Sequence, residues 1–194
     1  MTTIRIEAEN PRRLIPHEDI LVEKMLNISL ELSKSKLIKP IIVDSNTHVI
    51  LDGHHRHAAA LRLSFNKIPV FYVDYESPRI YIDIWYRRFS NPSIAKVILS
   101  SFNSDGIVCA KFDFTRICDK TLFKVYWKLE MIEKVLSSIK INVEKDTYGH
   151  LEPPPIDKET VIDIANKGLR FPPKTTRHVY RFIIPQESVS IDDI

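Results

Sequence analysis

The sequence predicts a mixed α/β fold in which short apolar strands alternate with amphipathic helices. Residues 68–73, IPVFYV, form a continuous apolar run that is typical of a buried strand. Residues 122–140 instead carry apolar side chains at intervals of three and four, which is typical of a helix packed on one face. Both patterns recur along the chain, so we expect an α+β mixture of helices and strands around a buried core.

Length and composition restrict the class of protein. A chain of 194 residues that is 44% hydrophobic can bury a core as one large domain or two small joined domains. The net charge of +3 is far below that of a dense basic face, so an anionic small molecule is as good a partner as DNA. The start lacks a signal-like apolar segment and no stretch resembles a membrane span, so we expect a cytoplasmic protein. Cys109 and Cys118 are expected to be reduced thiols.

The first half of the chain predicts two helices and a hairpin. Pro16 is expected to begin a helix with Leu21, Met25, Ile28 and Leu32 on its apolar face. The opening turn of that helix would then contain His17, Glu18 and Asp19. Apolar runs at 39–44 and 48–52 predict a hairpin that ends at Gly53. The next helix is expected to face a sheet through Ala58, Leu61 and Phe65.

The second half continues the alternation. Strands are predicted at 68–75 and 106–114, and 79–89 is expected to be a strand or an extended segment. A helix over 92–102 would place Ile94, Ile98 and Phe102 on one side. The helix over 122–140 should bury Val125, Leu129, Ile132 and Leu136. After a polyproline connector at 152–157, a last helix over 158–167 should end at Gly168.

The turn after the hairpin, GHHRH at 53–57, is the first candidate site. A glycine between a strand and a helix brings free backbone N–H groups and the positive helix end to one point, which suits an anion. His54, His55 and Arg56 add donors there. A zinc site is the weaker interpretation, because the i, i+4 histidine pair of zinc proteases is absent and Arg56 repels a cation. These side chains could also be solvated surface residues without a ligand.

A second cluster lies at 172–178, PPKTTRH. Lys174, Thr175, Thr176, Arg177 and His178 place two cations, two hydroxyls and an imidazole in five consecutive residues. Alone it is typical of an exposed basic loop, but two such clusters favour a convergent anion pocket. Glu18 could supply a proton acceptor, although an acidic residue at a helix N-terminus is more often there to stabilise the helix dipole.

These motifs together resemble one family. IPHE at 15–18, DGHHR at 52–56, YIDIWYRRF at 81–89 and PPKTTRHV at 172–179 resemble the archaeal free-serine kinases, which are built on the ParB/sulfiredoxin-like fold. The resemblance implies a ParB-like nucleotide-binding core over 1–100. It also implies a smaller α/β lobe over 101–194 whose segment 169–180 returns to the active site.

The resemblance also implies an activity and a set of roles. Free L-serine would receive a phosphoryl group from ATP or ADP to give O-phospho-L-serine, an intermediate on a route to cysteine, with Glu18 as general base. The nucleotide phosphates would be bound by Asp52, Gly53, His54, His55, Arg56, Lys174 and Thr175. The amino acid would be bound by Trp85, Thr176, Arg177 and His178. Mg²⁺ would be required, with Asp52 as its candidate ligand, in a monomer or homodimer.

Rival functions remain open at this point. A ParB relative that binds DNA under nucleotide control would need a helix-turn-helix, and 122–140 has no clear partner helix. A sulfiredoxin-like reductase would need a reactive cysteine beside the phosphate turn. Two more candidates are a kinase of another small alcohol and a nucleotide-binding regulatory protein without catalysis. We expect neither nucleic acid nor a membrane as a partner.

Overall fold

The computed structural model describes residues 6–194, and these contain both helices and strands, as the sequence predicts. The helices are α1 (Val22–Ser35), α2 (His54–Arg62), α3 (Pro92–Ser100), α4 (Leu122–Ser138) and α5 (Lys158–Asn166). The strands are β1 (Ile6–Glu9), β2 (Leu37–Ile38), β3 (Ile41–Asp44), β4 (Ile50–Asp52), β5 (Ile68–Val73), β6 (Ile80–Ile84), β7 (Tyr86–Phe89), β8 (Val108–Phe112), β9 (Thr115–Asp119), β10 (Val143–Asp146), β11 (Thr176–Tyr180) and β12 (Val189–Ser190). Among the described residues, no helix is both long and apolar enough to cross a membrane.

The chain forms two compact units. Unit 1 comprises the described part of Met1–Tyr81 together with Lys158–Pro173 and His178–Ile194, and unit 2 comprises Ile82–Asp157 and Lys174–Arg177. The chain therefore passes between the units four times: within β6, between residues 157 and 158, between residues 173 and 174, and within β11. The domain division at residue 100 that the sequence suggests stays a prediction.

Unit 1 is built on a four-stranded sheet in the order β1-β5-β3-β4. Strands β3 and β5 run parallel, and the two outer pairs are antiparallel. Ile41, Val43 and Val70 are fully buried, and Ala59 and Ala60 of α2 pack into the same core. The small alanine side chains allow α2 to approach the sheet closely, which positions the turn at its N-terminus.

Two details of the predicted helices in unit 1 are wrong. The first helix begins at Val22 rather than Pro16. Residues 17–19 are extended because the His17 carbonyl accepts a bond from the Phe171 amide at 2.8 Å and the Asp19 amide donates to the Phe171 carbonyl at 2.7 Å. In α2 the buried residues are His54, His57, Ala59 and Ala60, whereas Leu61 is 39% exposed. The later start of the first helix results from the pairing of residues 17–19 with Phe171, and no local sequence pattern indicates that pairing.

Unit 2 has its own core beneath the hairpin β8–β9. Helix α4 buries Val125, Leu129, Ile132 and Leu136, as the periodicity predicts. These residues pack with Ala110, Phe112 and Ile117 of the hairpin. Strand β7 pairs antiparallel with β10. In α3 the buried residues are Ala95 and Leu99, and the predicted Ile98 and Phe102 pack against the same core in partly buried positions, whereas the predicted Ile94 is 48% exposed.

The expectation of reduced thiols is wrong, because Cys109 and Cys118 form a disulfide. The two residues stand directly opposite each other on β8 and β9, with Cα atoms 4.1 Å apart. The sequence shows β8 but gives no clear sign of β9, so this pairing is not visible from composition. The guanidinium of Arg116 lies 3.1 Å from the Cys109 sulfur.

Reduction of this disulfide is expected to lower the melting temperature of the protein by about 5–10 °C. The bridge closes a loop with a sequence separation of 9 residues. Closing a loop of that length lowers the entropy of the unfolded chain and so stabilises the folded protein by about 3 kcal/mol. Calorimetry with and without a phosphine reductant measures the shift. The double variant Cys109→Ser/Cys118→Ala is the control and should melt at one temperature in both buffers. An unchanged melting temperature with two titratable thiols would contradict the expectation.

Candidate functional site

The turn between β4 and α2 in unit 1 has the geometry of an anion site. Gly53 adopts a φ of +101°, and a Cβ there would lie only 3.0 Å from the Arg56 guanidinium and 3.1 Å from Ile41. In the described part of the chain no side chain caps α2. The first N–H groups of a helix have no intrahelical acceptor, so this nine-residue helix presents donors and a positive dipole end to a ligand.

Arg56 holds the turn together. Its guanidinium donates to the Asp52 carboxylate at 2.6 Å and to the Pro40 and Lys39 carbonyls at 2.8 and 3.2 Å. The Asp52 side chain is 60% exposed. Arg56 therefore stabilises the backbone around Gly53, and its charge is shared with Asp52 before any ligand binds.

A cavity of about 370 Å³ opens beside this turn, which is within the size range of small-molecule sites. It lies within unit 1 and is lined by α1, by β2 and by the turn itself. Charged and apolar side chains share the lining. The charged or titratable residues are the basic Lys24, Lys39, His55 and Arg56 and the acidic Glu31 and Asp52, and the apolar ones are Ile28, Leu32, Leu37 and Ile38. Three cations face two carboxylates, so such a lining suits a ligand that has an apolar part and an anionic part.

Glu18 belongs to an extended segment and not to a helix turn. It forms a parallel bridge with Phe171, and its side chain is only 10% exposed. Its carboxylate lies 3.9 Å from Nε2 of His17. The helix-dipole role for this acidic residue is therefore wrong, because α1 begins four residues later. A carboxylate that is this buried requires a specific environment, which favours a chemical role.

Three histidines pack together next to Glu18. The ring of His17 lies 4.6 Å from that of His54 and 5.6 Å from that of His178. His17 Nδ1 bonds the Ile50 carbonyl at 2.7 Å, and His178 Nε2 bonds the Tyr75 hydroxyl at 2.7 Å. Burial lowers the pKa of His17 to about 4. Burial, and then repulsion from the neighbouring imidazoles, lowers the pKa of His54 and of His178 well below the usual value. All three rings are therefore neutral at pH 7.

Two buried polar atoms in unit 1 lack a hydrogen-bond partner among residues 6–194: His54 Nε2 and the Tyr180 hydroxyl. His54 is the first residue of α2. The electrostatic neighbours of Tyr180 include Asp52 and Arg56, and burial raises the pKa of its hydroxyl. Buried polar groups without partners are rare in folded proteins, and a bound ligand can supply the missing hydrogen bond. Sequence reasoning singled out His54 but missed Tyr180, Tyr75 and His17.

The remaining predicted site residues lie together in unit 2. The Trp85 indole N–H donates to the Thr176 carbonyl at 3.0 Å. The Lys174 ammonium and the Arg177 guanidinium lie 6.0 and 5.5 Å from the centre of the Trp85 ring. Arg177 also pairs with Asp83, which the sequence did not indicate. Thr175 is buried with 1% exposure. Trp85 is thus the platform on which the segment 174–177 rests.

No group of three or more His, Cys, Asp or Glu side chains in residues 6–194 is arranged to hold a metal ion. In the histidine cluster, ring nitrogens of His17 and His178 are already bonded to Ile50 and Tyr75. Mg²⁺ needs fewer protein ligands than such a group provides, since it is usually bound by one or two carboxylates together with substrate phosphates. The exposed Asp52 carboxylate could serve as such a single ligand beside substrate phosphates, although Arg56 already bonds one of its oxygens.

Several relatives match over nearly the whole chain. A ParB-like protein of Sulfolobus acidocaldarius is 40% identical over 97% of this chain and 98% of its own length. An ATP-dependent L-serine kinase of Staphylothermus marinus is 25% identical, over 94% of this chain and 88% of its own. An ADP-dependent L-serine kinase of Thermococcus kodakarensis is 24% identical over 94% and 90%. No family model matches the chain.

Solved structures show the same fold. A free serine kinase in complex with AMP superposes with a TM-score of 0.80 at 18% identity, covering 100% of this chain and 95% of its own. A conserved hypothetical protein of Pyrococcus furiosus superposes with a TM-score of 0.75 at 19% identity, covering 100% and 98%. The predicted ParB-like mixture of helices and strands is confirmed.

Proposed function

We propose, from the premise that this chain belongs to the family of ParB-like proteins, that it is a kinase of free L-serine. It transfers a phosphoryl group from ATP or ADP to the serine hydroxyl and releases O-phospho-L-serine. The names of two relatives that match 94% of the chain support a serine kinase, and they include both an ATP-dependent and an ADP-dependent enzyme. We further propose that the reaction takes place in the cytoplasm and supplies a route to cysteine.

The observation that carries the proposal is the unpartnered Nε2 of His54 at the uncapped N-terminus of α2. A neutral imidazole N–H and the first backbone N–H groups of a helix are the donors that a phosphate requires. The adjoining cavity of about 370 Å³ can take a nucleoside. In this proposal the phosphates are bound by Gly53, His54, His55 and Arg56, with Lys174 and Thr175 as further phosphate ligands and with Asp52 acting on the phosphates through Mg²⁺.

Glu18 is the proposed general base. Its buried carboxylate accepts the proton of the serine hydroxyl as the hydroxyl oxygen forms a bond to the terminal phosphorus. The bond between that phosphorus and the bridging oxygen breaks, and the leaving nucleotide keeps the electron pair. Glu18 then returns the proton to solvent. Phosphoryl transfer depends mostly on positioning and on neutralising charge, so one base and many donors are sufficient.

The amino acid is bound in this proposal by Trp85, Thr176, Arg177 and His178. Arg177 provides the charge for the serine carboxylate, and the Trp85 ring provides an apolar wall. Mg²⁺ held by the phosphates and Asp52 would neutralise charge on the transferred group.

Phosphorus NMR of the purified protein with Mg²⁺, L-serine and either ATP or ADP tests the proposal. We expect a phosphomonoester signal that coincides with added O-phosphoserine, and the productive nucleotide identifies the donor. Glycerol and L-threonine in place of serine test other acceptors. Nucleotide binding without any product would overturn the kinase and favour a nucleotide-dependent regulatory or DNA-binding protein, which gel-shift and footprinting experiments would then examine.

A further inference from the structure

Among the fully buried side chains of residues 6–194, Arg87 is the largest, and it carries a charge. Only 1% of it is exposed. Its Nε donates to the Glu133 carboxylate of α4 at 2.8 Å, and its guanidinium lies 5.7 Å from the centre of the Tyr126 ring. The ammonium of Lys145 lies 3.4 Å from the other Glu133 oxygen. Burying an arginine is costly even when it is paired, so a buried arginine at this position calls for a specific structural reason.

The bond from Arg87 to Trp85 provides that reason. Nη1 of Arg87 donates to the Trp85 carbonyl at 2.6 Å. Trp85 stands between β6 and β7 and belongs to neither strand. A peptide carbonyl outside a sheet needs a donor from elsewhere, and a guanidinium can bond it and a carboxylate at the same time. Arg87 therefore ties the backbone of Trp85 to helix α4 of the same unit.

The indole of Trp85 in turn carries the segment 174–177. It bonds the Thr176 carbonyl and lies beneath the charges of Lys174 and Arg177. A displacement of the Trp85 backbone would move all three of these contacts together. A continuous chain of bonds thus leads from Glu133 through Arg87 and Trp85 to Thr176.

We propose that Arg87 is a positioning residue: it holds Trp85 in place, and Trp85 in turn positions the amino-acid substrate. This rests on the proposed role of Trp85 and Arg177 in binding serine. Arg87 does not touch the substrate, and it differs in burial from its neighbour Arg88. Arg88 is partly exposed on the other face of β7 and pairs with Glu144 and Asp146.

The substitution Arg87→Lys tests the proposal, with Arg88→Lys as its matched control. A lysine has one nitrogen and cannot bond both the Trp85 carbonyl and Glu133 in the fork geometry of arginine. Trp85 and Trp127 are the two tryptophans of the chain, so a Trp127→Phe background isolates the fluorescence of Trp85. We expect Arg87→Lys to raise acrylamide quenching of Trp85 about twofold and Arg88→Lys to leave it unchanged. This measurement does not depend on any activity.

Kinetics separates positioning from mere support of the fold. We expect Arg87→Lys to raise the KM for serine about tenfold, the effect of one lost charged hydrogen bond, and to change kcat much less. A folded Arg87→Lys protein with unchanged Trp85 quenching would overturn the proposal. If that variant does not fold, Glu133→Gln loosens the same anchor and should shift quenching in the same direction; no shift there would also overturn it. If the wild type makes no phosphoserine, the proposed function fails while the quenching result still decides the role of Arg87.

Discussion

The substitution Glu18→Gln is expected to lower the turnover number for serine phosphorylation by a factor of about 10²–10⁴, which is the usual contribution of a positioned base. Glutamine has nearly the same size and keeps one oxygen, but it cannot accept the hydroxyl proton. The segment 17–19 is held through its backbone bonds to Phe171, so the fold should tolerate this change. Initial rates at saturating serine and nucleotide measure the effect, and calorimetric titration measures the nucleotide Kd, which should remain within about twofold.

Asp19→Asn is the matched control for this experiment. Asp19 is the next residue, and its carboxylate accepts a bond from the Ile20 amide at 3.0 Å, which an asparagine oxygen can replace. We expect near wild-type turnover from the control. Full activity of Glu18→Gln would exclude Glu18 as the base and would leave the cavity and the turn as a binding site only. Equal losses in both variants would point instead to a disturbed backbone.

The sequence singled out Glu18 as a candidate base, which stays a prediction, but it predicted the wrong local structure around this residue. Its local pattern resembled the first turn of a helix, because Pro16 and the later apolar spacing both fit a helix start. The structure places it in an extended bridge to Phe171, which is 153 positions away along the chain. No single-sequence pattern encodes such a pairing, so the burial that suits a base was not predictable from the spacing of residues.

The elements that were predicted well have strong local signals. Helix α4 has a regular apolar spacing and a Thr121 cap, and Gly53 and Gly168 both adopt the positive φ that glycine tolerates. Strand β9 has only two consecutive apolar residues and β10 bears charges of alternating sign, so their formation depends on partners in β8 and β7. The disulfide follows from the register of β8 and β9 and was missed for the same reason.

Site residues that sequence reasoning missed are mainly buried polar groups. His17, Tyr75 and Tyr180 are unremarkable in the sequence, because no residue pattern of their own indicates a site. They become candidate site residues only because the fold places them near His54, His178 or the turn. A signal existed for Tyr180, since it stands two residues after His178 on the strand β11 and shares its face.

Acidification from pH 7 to pH 5 is expected to destabilise unit 1 by at least about 2 kcal/mol through its buried histidines. His17 has a pKa of about 4 in the folded protein, compared with 6.5 for the free side chain, because burial disfavours the imidazolium. The unfolded chain therefore binds a proton between pH 6.5 and 4 that the folded chain does not, and stability decreases as the pH falls. That difference gives about 2 kcal/mol for His17 alone at pH 5, and His54 and His178 shift in the same direction.

Amide hydrogen exchange in β3 and β5 measures this effect within unit 1, after correction for the intrinsic pH dependence of exchange. His17→Asn keeps a donor near the Ile50 carbonyl and cannot titrate, so it should be less stable at pH 7 but lose about 2 kcal/mol less than the wild type by pH 5. His48→Asn is the control, because His48 lies in the turn before β4, at a φ of 61° that asparagine tolerates. Parallel losses in all three proteins would show that the carboxylates, and not the histidine cluster, set the acid sensitivity. A smaller loss in His17→Asn alone would show that the buried, neutral His17 sets the acid sensitivity of unit 1.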